Sequence, residues 1–287
     1  MSLSRFLRRA ARTAAVLTLS LGVTSAFAQA TPKTIVFGVA PGPYGDLIKQ
    51  AIQPGLEKKG YKVSIKEFSD YVQPNLALAN GATDANLFQH KVYLDKFSAD
   101  KGLKLSALIN VPTAGLGLYS NKIKSLDDLK KGDVITLAND PTNLARALRF
   151  LAKINLLTFK SDIDPTKASE KDIEQNPRGL VFKALEAAQL PRTLDTAAAS
   201  VVNGNFAIAA GLDLNKALKQ EVLDENIKNL IAVKTDDLDK PFAKDIKAVV
   251  ESDEFLAVVT DPKFQYTSFQ RPEWLVARIA HKHHGKK

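Results

Sequence analysis

The 287-residue sequence contains no cysteine and only four histidines, and these shortages exclude several kinds of site. Without cysteine there is no thiol nucleophile, no thiolate ligand for a metal, no disulfide and no cysteine to carry a lipid. Three histidines, His281, His283 and His284, lie close to the end of the chain. His90 is therefore the only histidine in the body of the chain, so we expect no zinc site, no other metal site and no cofactor.

The sequence also lacks long apolar runs and basic stripes, and these absences exclude further classes of function. Beyond the N-terminal segment, no run approaches about 18 apolar residues, so the sequence predicts no spanning helix. The formal net charge is +9, but the excess lies mainly at the two ends, and no basic stripe is interleaved with aromatics. A nucleic-acid partner is therefore not expected.

The stretch "GVAPGPYG" lacks both the dinucleotide fingerprint and a phosphate-binding lysine. A Ser–His–acid hydrolase would have to use His90, and no G-x-S-x-G turn is present.

The first thirty residues have the layout of a secretory signal peptide. Four arginines precede a short apolar run, which ends in small residues that allow cleavage after Ala28 or Ala30. We therefore assign residues 1–30 to a signal peptide and expect a protein exported to the periplasm. Because cysteine is absent, we expect that protein to be soluble, with no lipid anchor.

Apolar runs and helical spacings alternate through the rest of the chain. The runs "TIVFGVA" and "DVITLA" are typical of buried strands, and each is followed by a helical pattern. Asp140 is placed to cap a long helix with Pro141 at its first position, and Ser125 and Asp128 match a capping box. The stretch "AAASVVNGNFAIAAGL" is predicted to be extended. This alternation predicts an α/β fold with a parallel sheet, and the length favours two lobes.

The lobe boundaries are expected at two apolar crossings, near residues 111–118 and 229–234. The predicted division is 31–113 for the first part of lobe 1, 114–230 for lobe 2, 231–280 for the return to lobe 1, and 281–287 for a disordered basic tail.

Open α/β sheets bind ligands beyond the carboxyl ends of their strands, so the candidate site residues are those that follow predicted strands. The aromatic group consists of Phe68, Tyr71, Phe88, Tyr93 and Tyr119. The polar group consists of Asn143, Asn203, Asn205, Asn229 and Arg146. Asn143 and Arg146 share one face in the first two turns of a helix, where free N–H groups favour an anion. The two groups together indicate a clamp for an α-amino acid, with arginine on the carboxylate.

Each of these residues has a plainer interpretation. Arg149 fits the helical spacing as well as Arg146. The aromatics are also compatible with ordinary core packing, and Asn203 and Asn205 with a turn around Gly204. His90 is also suited to the first turn of a helix.

Several long motifs resemble the NlpA/MetQ family of periplasmic substrate-binding proteins for methionine ABC transporters. They are "EFSDYVQPNLALANGATDANLFQHKVYLD", "NKIKSLDDL", "LANDPTNLARAL", "QLPRTLD" and "VVNGNFA", and the resemblance covers roughly residues 33–275. It implies a two-lobe periplasmic-binding-protein fold, a type II-like clamshell with a hinge of crossover strands.

The resemblance also implies the roles of the site residues. Tyr71, Phe88, His90 and Tyr93 would form the wall around the methionine side chain, with Tyr119 a further contact. Arg146, assisted by Asn143, would bind the carboxylate, and the resemblance favours Arg146 over Arg149. Asn203 and Asn229 would contact the backbone end of the ligand.

The implied protein is a monomeric binding protein without catalytic activity. It would bind methionine, L- or D-, or a similar amino acid, and deliver it to a membrane permease. The alternatives are a binding protein for another small apolar amino acid or amphipathic anion, or a secreted hydrolase or metal-handling protein that uses His90 or the histidines of the tail.

Overall fold

The computed structural model describes residues 33–284, with side chains as far as Lys282. The predicted signal peptide therefore lies outside the described residues. The strands are β1 (Thr34–Val39), β2 (Lys62–Glu67), β3 (Ala85–His90), β4 (Leu105–Asn110), β5 (Gly117–Tyr119), β6 (Val134–Ala138), β7 (Thr158–Phe159), β8 (Ile173–Gln175), β9 (Val181–Leu185), β10 (Ala199–Val202), β11 (Lys219–Gln220) and β12 (Asn229–Lys234). The α-helices are α1 (Tyr44–Leu47), α2 (Gln53–Lys58), α3 (Gln73–Ala79), α4 (Lys91–Lys101), α5 (Pro141–Lys153), α6 (Gly204–Ala209), α7 (Pro241–Val250), α8 (Asp253–Thr260) and α9 (Glu273–His284).

Two five-stranded sheets organise the described chain. The first has the order β2-β1-β3-β12-β4, and the second has the order β11-β5-β10-β6-β9. Strand β1 is parallel to β2 and β3, whereas β12 is antiparallel to both of its neighbours. In the second sheet β6 is parallel to β9 and β10, and β5 is antiparallel to β10. The predicted α/β class and two-lobe arrangement are confirmed.

Each sheet has its own hydrophobic core, since helices cover its faces. The core of the first sheet includes Phe37, Leu47 and Ile246. The core of the second includes Leu137 and Leu148. The apolar runs of β1 and β6 are mostly buried because helices and neighbouring strands enclose them, whereas the edge strand β2 alternates between exposed and half-buried positions.

Two chain segments connect the sheets. The first, residues 111–116, leads from β4 to β5 and falls within the stretch predicted as a crossing, near 111–118. The second, residues 221–228, leads from β11 back to β12. The crossing predicted at 229–234 is wrong, because those residues form a central strand of the first sheet. A buried central strand and a buried crossing have the same apolar composition, so hydropathy does not separate them.

Several local predictions are confirmed and others need correction. Asp140 caps α5 through the Asn143 N–H at 2.9 Å, with Pro141 at the first helical position, and the Ser125–Asp128 capping box is present. The stretch predicted to be extended after β10 contains a helix instead: β10 ends at Val202, and α6 begins at Gly204. Small residues such as Ala and Gly carry little periodicity, so tertiary packing decides this segment.

The C-terminal segment differs from its prediction as well. Helix α9 extends to His284, four residues into the segment predicted to be a disordered tail, and residues 285–287 lie outside the described residues. Within residues 33–284, no helix is long and apolar enough to cross a membrane.

Candidate functional site

One cleft between the two lobes is lined by all of the nominated side chains except Phe68 and Tyr119. Its lining consists of Tyr44, Tyr71, Phe88, Gln89, His90, Tyr93, Ala114, Asn143, Arg146, Asn203, Gly204, Asn205 and Asn229. The first lobe contributes the aromatic side, from the ends of β2 and β3 and the start of α4. The second lobe contributes most of the polar side, from α5 and from the end of β10, and the first lobe adds Asn229 at the start of β12.

Three aromatic rings form a compact wall on the first lobe. The ring centroids of Tyr71, Phe88 and Tyr93 lie 5.9–6.0 Å from one another. The Tyr93 hydroxyl donates to the Tyr71 carbonyl oxygen at 2.7 Å, which fixes the loop that carries Tyr71. Phe88 and Tyr93 are buried, so the wall presents rigid apolar surface to the cleft.

His90 ends β3 and is at the same time the N-cap residue of α4. Its Nδ1 accepts the backbone N–H of Tyr93 at 3.1 Å, which assigns the ring proton to Nε2. That Nε2–H donates to Asn143 Oδ1 across the cleft at 3.3 Å. Burial, with a smaller contribution from Arg146, lowers the pKa of His90 to about 3, so the ring is neutral at physiological pH. His90 thus starts α4 and also lines the cleft.

Arg146 is the buried cation of the cleft, and it is already paired within the protein. Its Nε donates to Glu221 Oε1 at 3.0 Å, and its Nη2 donates to Glu221 Oε2 at 2.7 Å. Burial opposes the charged form, but the Glu221 carboxylate outweighs that cost, and the pKa of Arg146 is raised above its ordinary value. The ion pair occupies the Nε and Nη2 edge of the guanidinium and leaves the Nη1 N–H groups for a ligand.

Amide groups complete the polar side. Asn143 Nδ2 donates to both carboxylate oxygens of Asp140 at 3.1 Å, which turns Asn143 Oδ1 towards His90 and Asn203. Asn203 Oδ1 is buried and has no hydrogen-bond partner among the described residues. A buried acceptor without a partner costs free energy, so this oxygen is suited to a donor on a ligand.

The lobes also bond to each other at the mouth of the cleft. Asn205, on α6 of the second lobe, donates through Nδ2 to the Pro41 carbonyl oxygen of the first lobe at 2.8 Å. The Tyr71 hydroxyl donates to Asn205 Oδ1, and the ring of Phe206 lies 5.0 Å from that of Tyr71. With the His90–Asn143 bond, these contacts hold the two lobes together in the structure.

Phe68 does not line the cleft, and neither does Tyr119. The ring of Tyr119 is buried with Ala138, Val202 and Phe206 inside the second lobe. Arg149 also points elsewhere, since its Nη1 donates to the Pro165 carbonyl oxygen at 3.0 Å. Tyr119 therefore does not make the ligand contact that the resemblance implied. Of the two arginines, Arg146 lines the cleft and Arg149 does not.

Sequence reasoning gave no role to Tyr44, Gln89 or Glu221, and it left Asn205 undecided between the amide group and a turn. Tyr44, within "PGPYG", is the first residue of α1, and its hydroxyl accepts the Ala114 N–H at 3.2 Å. Nothing in the sequence distinguishes Glu221 from the other acidic residues near it, because its role depends on a residue 75 positions earlier in the chain.

The arrangement is suited to binding rather than to proton transfer. Both ring nitrogens of His90 are engaged, and its lowered pKa makes it a weak base at neutral pH. An apolar wall therefore faces a guanidinium and amide groups across a narrow cleft, which matches a small molecule with one apolar end and one polar end.

Known proteins resemble the chain over most of its length. The family model described as "NlpA lipoprotein" matches residues 35–274. The D-methionine-binding lipoprotein MetQ of Salmonella typhi is 40% identical over 226 residues, which cover 78% of this chain and 83% of the relative. A nutrient binding protein from Burkholderia cenocepacia, solved bound to methionine, is 37% identical with a TM-score of 0.76, over 82% of this chain and 97% of that one. A periplasmic substrate-binding protein of an ABC transporter from Coxiella burnetii is 36% identical with a TM-score of 0.76, over 83% and 99%.

These comparisons overturn one prediction. A soluble protein with no lipid anchor was expected from the absence of cysteine, but the matching family is described as a lipoprotein and the Salmonella typhi relative is named as one. The prediction is wrong because it rested only on a missing residue type, and that absence does not carry a conclusion about anchoring.

Proposed function

The chain belongs to the NlpA lipoprotein family, and on that premise we propose that it is the substrate-binding component of an ABC importer. It binds methionine, with both enantiomers as candidates, in the cleft between its lobes and catalyses no reaction. The observation that carries the proposal is the aromatic wall of one lobe facing the Arg146 and amide side of the other. The names of the relatives from Salmonella typhi and Burkholderia cenocepacia support the choice of methionine.

Each part of the ligand has a matching group in the cleft. The carboxylate is placed against the Nη1 N–H groups of Arg146, which offer strong charge-assisted hydrogen bonds. The ammonium group is placed at Asn203 Oδ1, the buried acceptor without a partner among the described residues. The thioether lies against the rings of Tyr71, Phe88 and Tyr93, because sulfur makes favourable contacts with aromatic edges.

Delivery follows from motion of the lobes about the two crossings. In the proposed cycle the ligand enters an open cleft, and the lobes close through the bonds of Asn205 and His90. A monomer in this closed form then docks on a membrane permease. The proposed lobes are residues 33–113 with 225–280, and residues 114–224, which follow the two sheets.

The test begins with the natural ligand. The protein is purified and unfolded, and the released compound is identified by mass spectrometry. The refolded protein is then titrated with the twenty amino acids and with D-methionine by calorimetry. We expect methionine to be released and to bind again. A different released compound, or no binding of either methionine enantiomer, contradicts the proposed substrate.

Two arginines one turn apart on α5 give a matched pair of variants. Arg146→Ala removes the guanidinium that faces the cleft, and Arg149→Ala removes one that bonds to Pro165. We expect Arg146→Ala to weaken methionine binding by about a hundredfold or more, since a buried charge-assisted contact is lost. Arg149→Ala should leave the affinity within about threefold of the native value. Equal losses in the two variants would contradict the assigned role.

A further inference from the structure

Glu221 lies outside the lining of the cleft but places a second charge directly beside it, on Arg146. Its carboxylate is bidentate on Arg146, and it also accepts the backbone N–H of Leu116 at 3.1 Å. Only 7% of the Arg146 side chain and 10% of the Glu221 side chain are exposed. The two charges are therefore screened weakly by solvent, and a ligand in the cleft is influenced by both.

The pair makes the polar side of the cleft close to neutral. An isolated buried guanidinium would attract any carboxylate and repel an ammonium group. With Glu221 beside it, the repulsion of an ammonium group is offset, while the Nη1 N–H groups remain available to a ligand carboxylate, since Glu221 bonds only to Nε and Nη2. Asp140 at the start of α5 and the half-buried Arg149, which both interact electrostatically with Arg146, are opposite in sign.

We propose that Glu221 sets the charge selectivity of the site, so that it accepts a net-neutral zwitterion in preference to a simple carboxylate anion. Glu221 is a positioning residue, because it acts on the ligand through Arg146 and through its field. This inference rests on the proposed function, since it names the ionic form of the ligand that the same site selects.

The experiment compares two ligands that differ in one charge. They are methionine and its desamino analogue, in which hydrogen replaces the ammonium group. Titration calorimetry gives the ratio of their affinities for the native protein, Glu221→Gln and Glu221→Asp. We expect Glu221→Gln to shift the ratio by about tenfold or more towards the desamino anion, since the ammonium group then meets an uncompensated guanidinium. Glu221→Asp keeps the charge, so its ratio should stay within about threefold of the native ratio, whatever happens to its absolute affinities.

A double variant keeps the test decisive if Glu221→Gln does not fold, because removing one partner of a buried pair leaves an uncompensated charge. Arg146→Gln combined with Glu221→Gln leaves neither charge. If Arg146 and Glu221 both act on the ammonium group, their opposite effects cancel in the native protein. Removing both charges should then leave the ratio of affinities at its native value, although both ligands bind less tightly. If only Arg146 acts, the double variant instead shifts towards methionine, which overturns the proposal.

Failure of the inference and failure of the proposed function are distinguishable. If the native protein binds neither ligand, the substrate assignment fails. If the native protein binds methionine but Glu221→Gln leaves the ratio unchanged, the substrate stands and the role of Glu221 is refuted.

Discussion

At the scale of single residues, His90 shows how one side chain serves local structure and the site together. Its Nδ1 caps α4, and its Nε2–H reaches Asn143 in the opposite lobe. Burial lowers its pKa to about 3, against an ordinary value near 6.5. The unfolded chain therefore binds a proton at this residue at a higher pH than the folded protein does.

This difference predicts a loss of stability in acid. Between pH 6.5 and about 3, His90 is protonated in the unfolded state but neutral in the native state. The free energy of unfolding therefore falls as the pH falls through this range. At pH 5 the contribution of His90 is a loss of about 2 kcal/mol. Urea unfolding of unliganded protein at pH 7.5 and pH 5 measures it.

His90→Asn is the control, since asparagine retains an N-cap acceptor but does not titrate. Between pH 7.5 and pH 5, the free energy of unfolding of His90→Asn should fall by about 2 kcal/mol less than that of the native protein, because the two proteins have all other titrating groups in common. If the native protein and the variant lose the same stability, the assigned protonation state is wrong.

The residues that the sequence predicted are those whose role follows from local position. His90, Asn143 and Arg146 come just after a strand or in the first turns of a helix, where the chain itself directs them to the cleft. Glu221 and Asn205 act through partners far away in the sequence, and their neighbourhoods contain equally polar residues. Only the folded arrangement distinguishes them.

At the scale of elements, the segment that precedes α9 connects both crossings. The backbone of Gln270 exchanges two hydrogen bonds of 2.9 Å with Thr113 in the first crossing. Its side chain donates to the Glu221 carbonyl oxygen and accepts the Leu223 N–H, both at 2.7 Å, in the second. Three stretches distant in the sequence are thus joined beside the cleft.

Gln270→Ala should loosen the second crossing and leave the first intact. The loss of two partly buried hydrogen bonds predicts a decrease of about 1–3 kcal/mol in the free energy of unfolding. Hydrogen exchange should show faster exchange at the Leu223 amide but not at Thr113, whose bond is to the Gln270 backbone.

The exposed Gln189 supplies a control for this substitution. Gln189→Ala should change the free energy of unfolding by no more than about 0.5 kcal/mol. Unchanged exchange at Leu223 in Gln270→Ala would contradict the proposed connection.

Elements with strong patterns were predictable, and those with weak patterns were not. The strands β1 and β6 and the capped helix α5 follow from apolar runs and capping residues. Helix α6 and the position of the second crossing do not, because alanine-rich segments and buried strands leave no distinctive period. The pairing of β12 between β3 and β4 also depends on contacts that no local pattern encodes.

At the scale of the whole molecule, ligand binding depends on how closely the lobes approach. Gly42 lies in the loop after β1, opposite α6 of the second lobe, with a φ of +131°. A Cβ atom at this position would lie 2.6 Å from the Asn205 backbone oxygen and 2.9 Å from its Cα. Backbone atoms of a helix cannot yield as a flexible side chain does, so any residue larger than glycine keeps the lobes apart.

Gly42→Ala should therefore weaken methionine binding by about tenfold or more, because the closed arrangement that binds the ligand is penalised. Gly60 provides the matched control, since it has a φ of +90° but no atom within 4 Å of the place that a Cβ would take. Both alanine variants carry a backbone strain of about 1–2 kcal/mol, but only Gly42→Ala meets the opposite lobe. Calorimetric titration with methionine, alongside urea unfolding of the unliganded proteins, separates the two effects. Equal affinities in the two variants would show that approach at Gly42 does not limit closure.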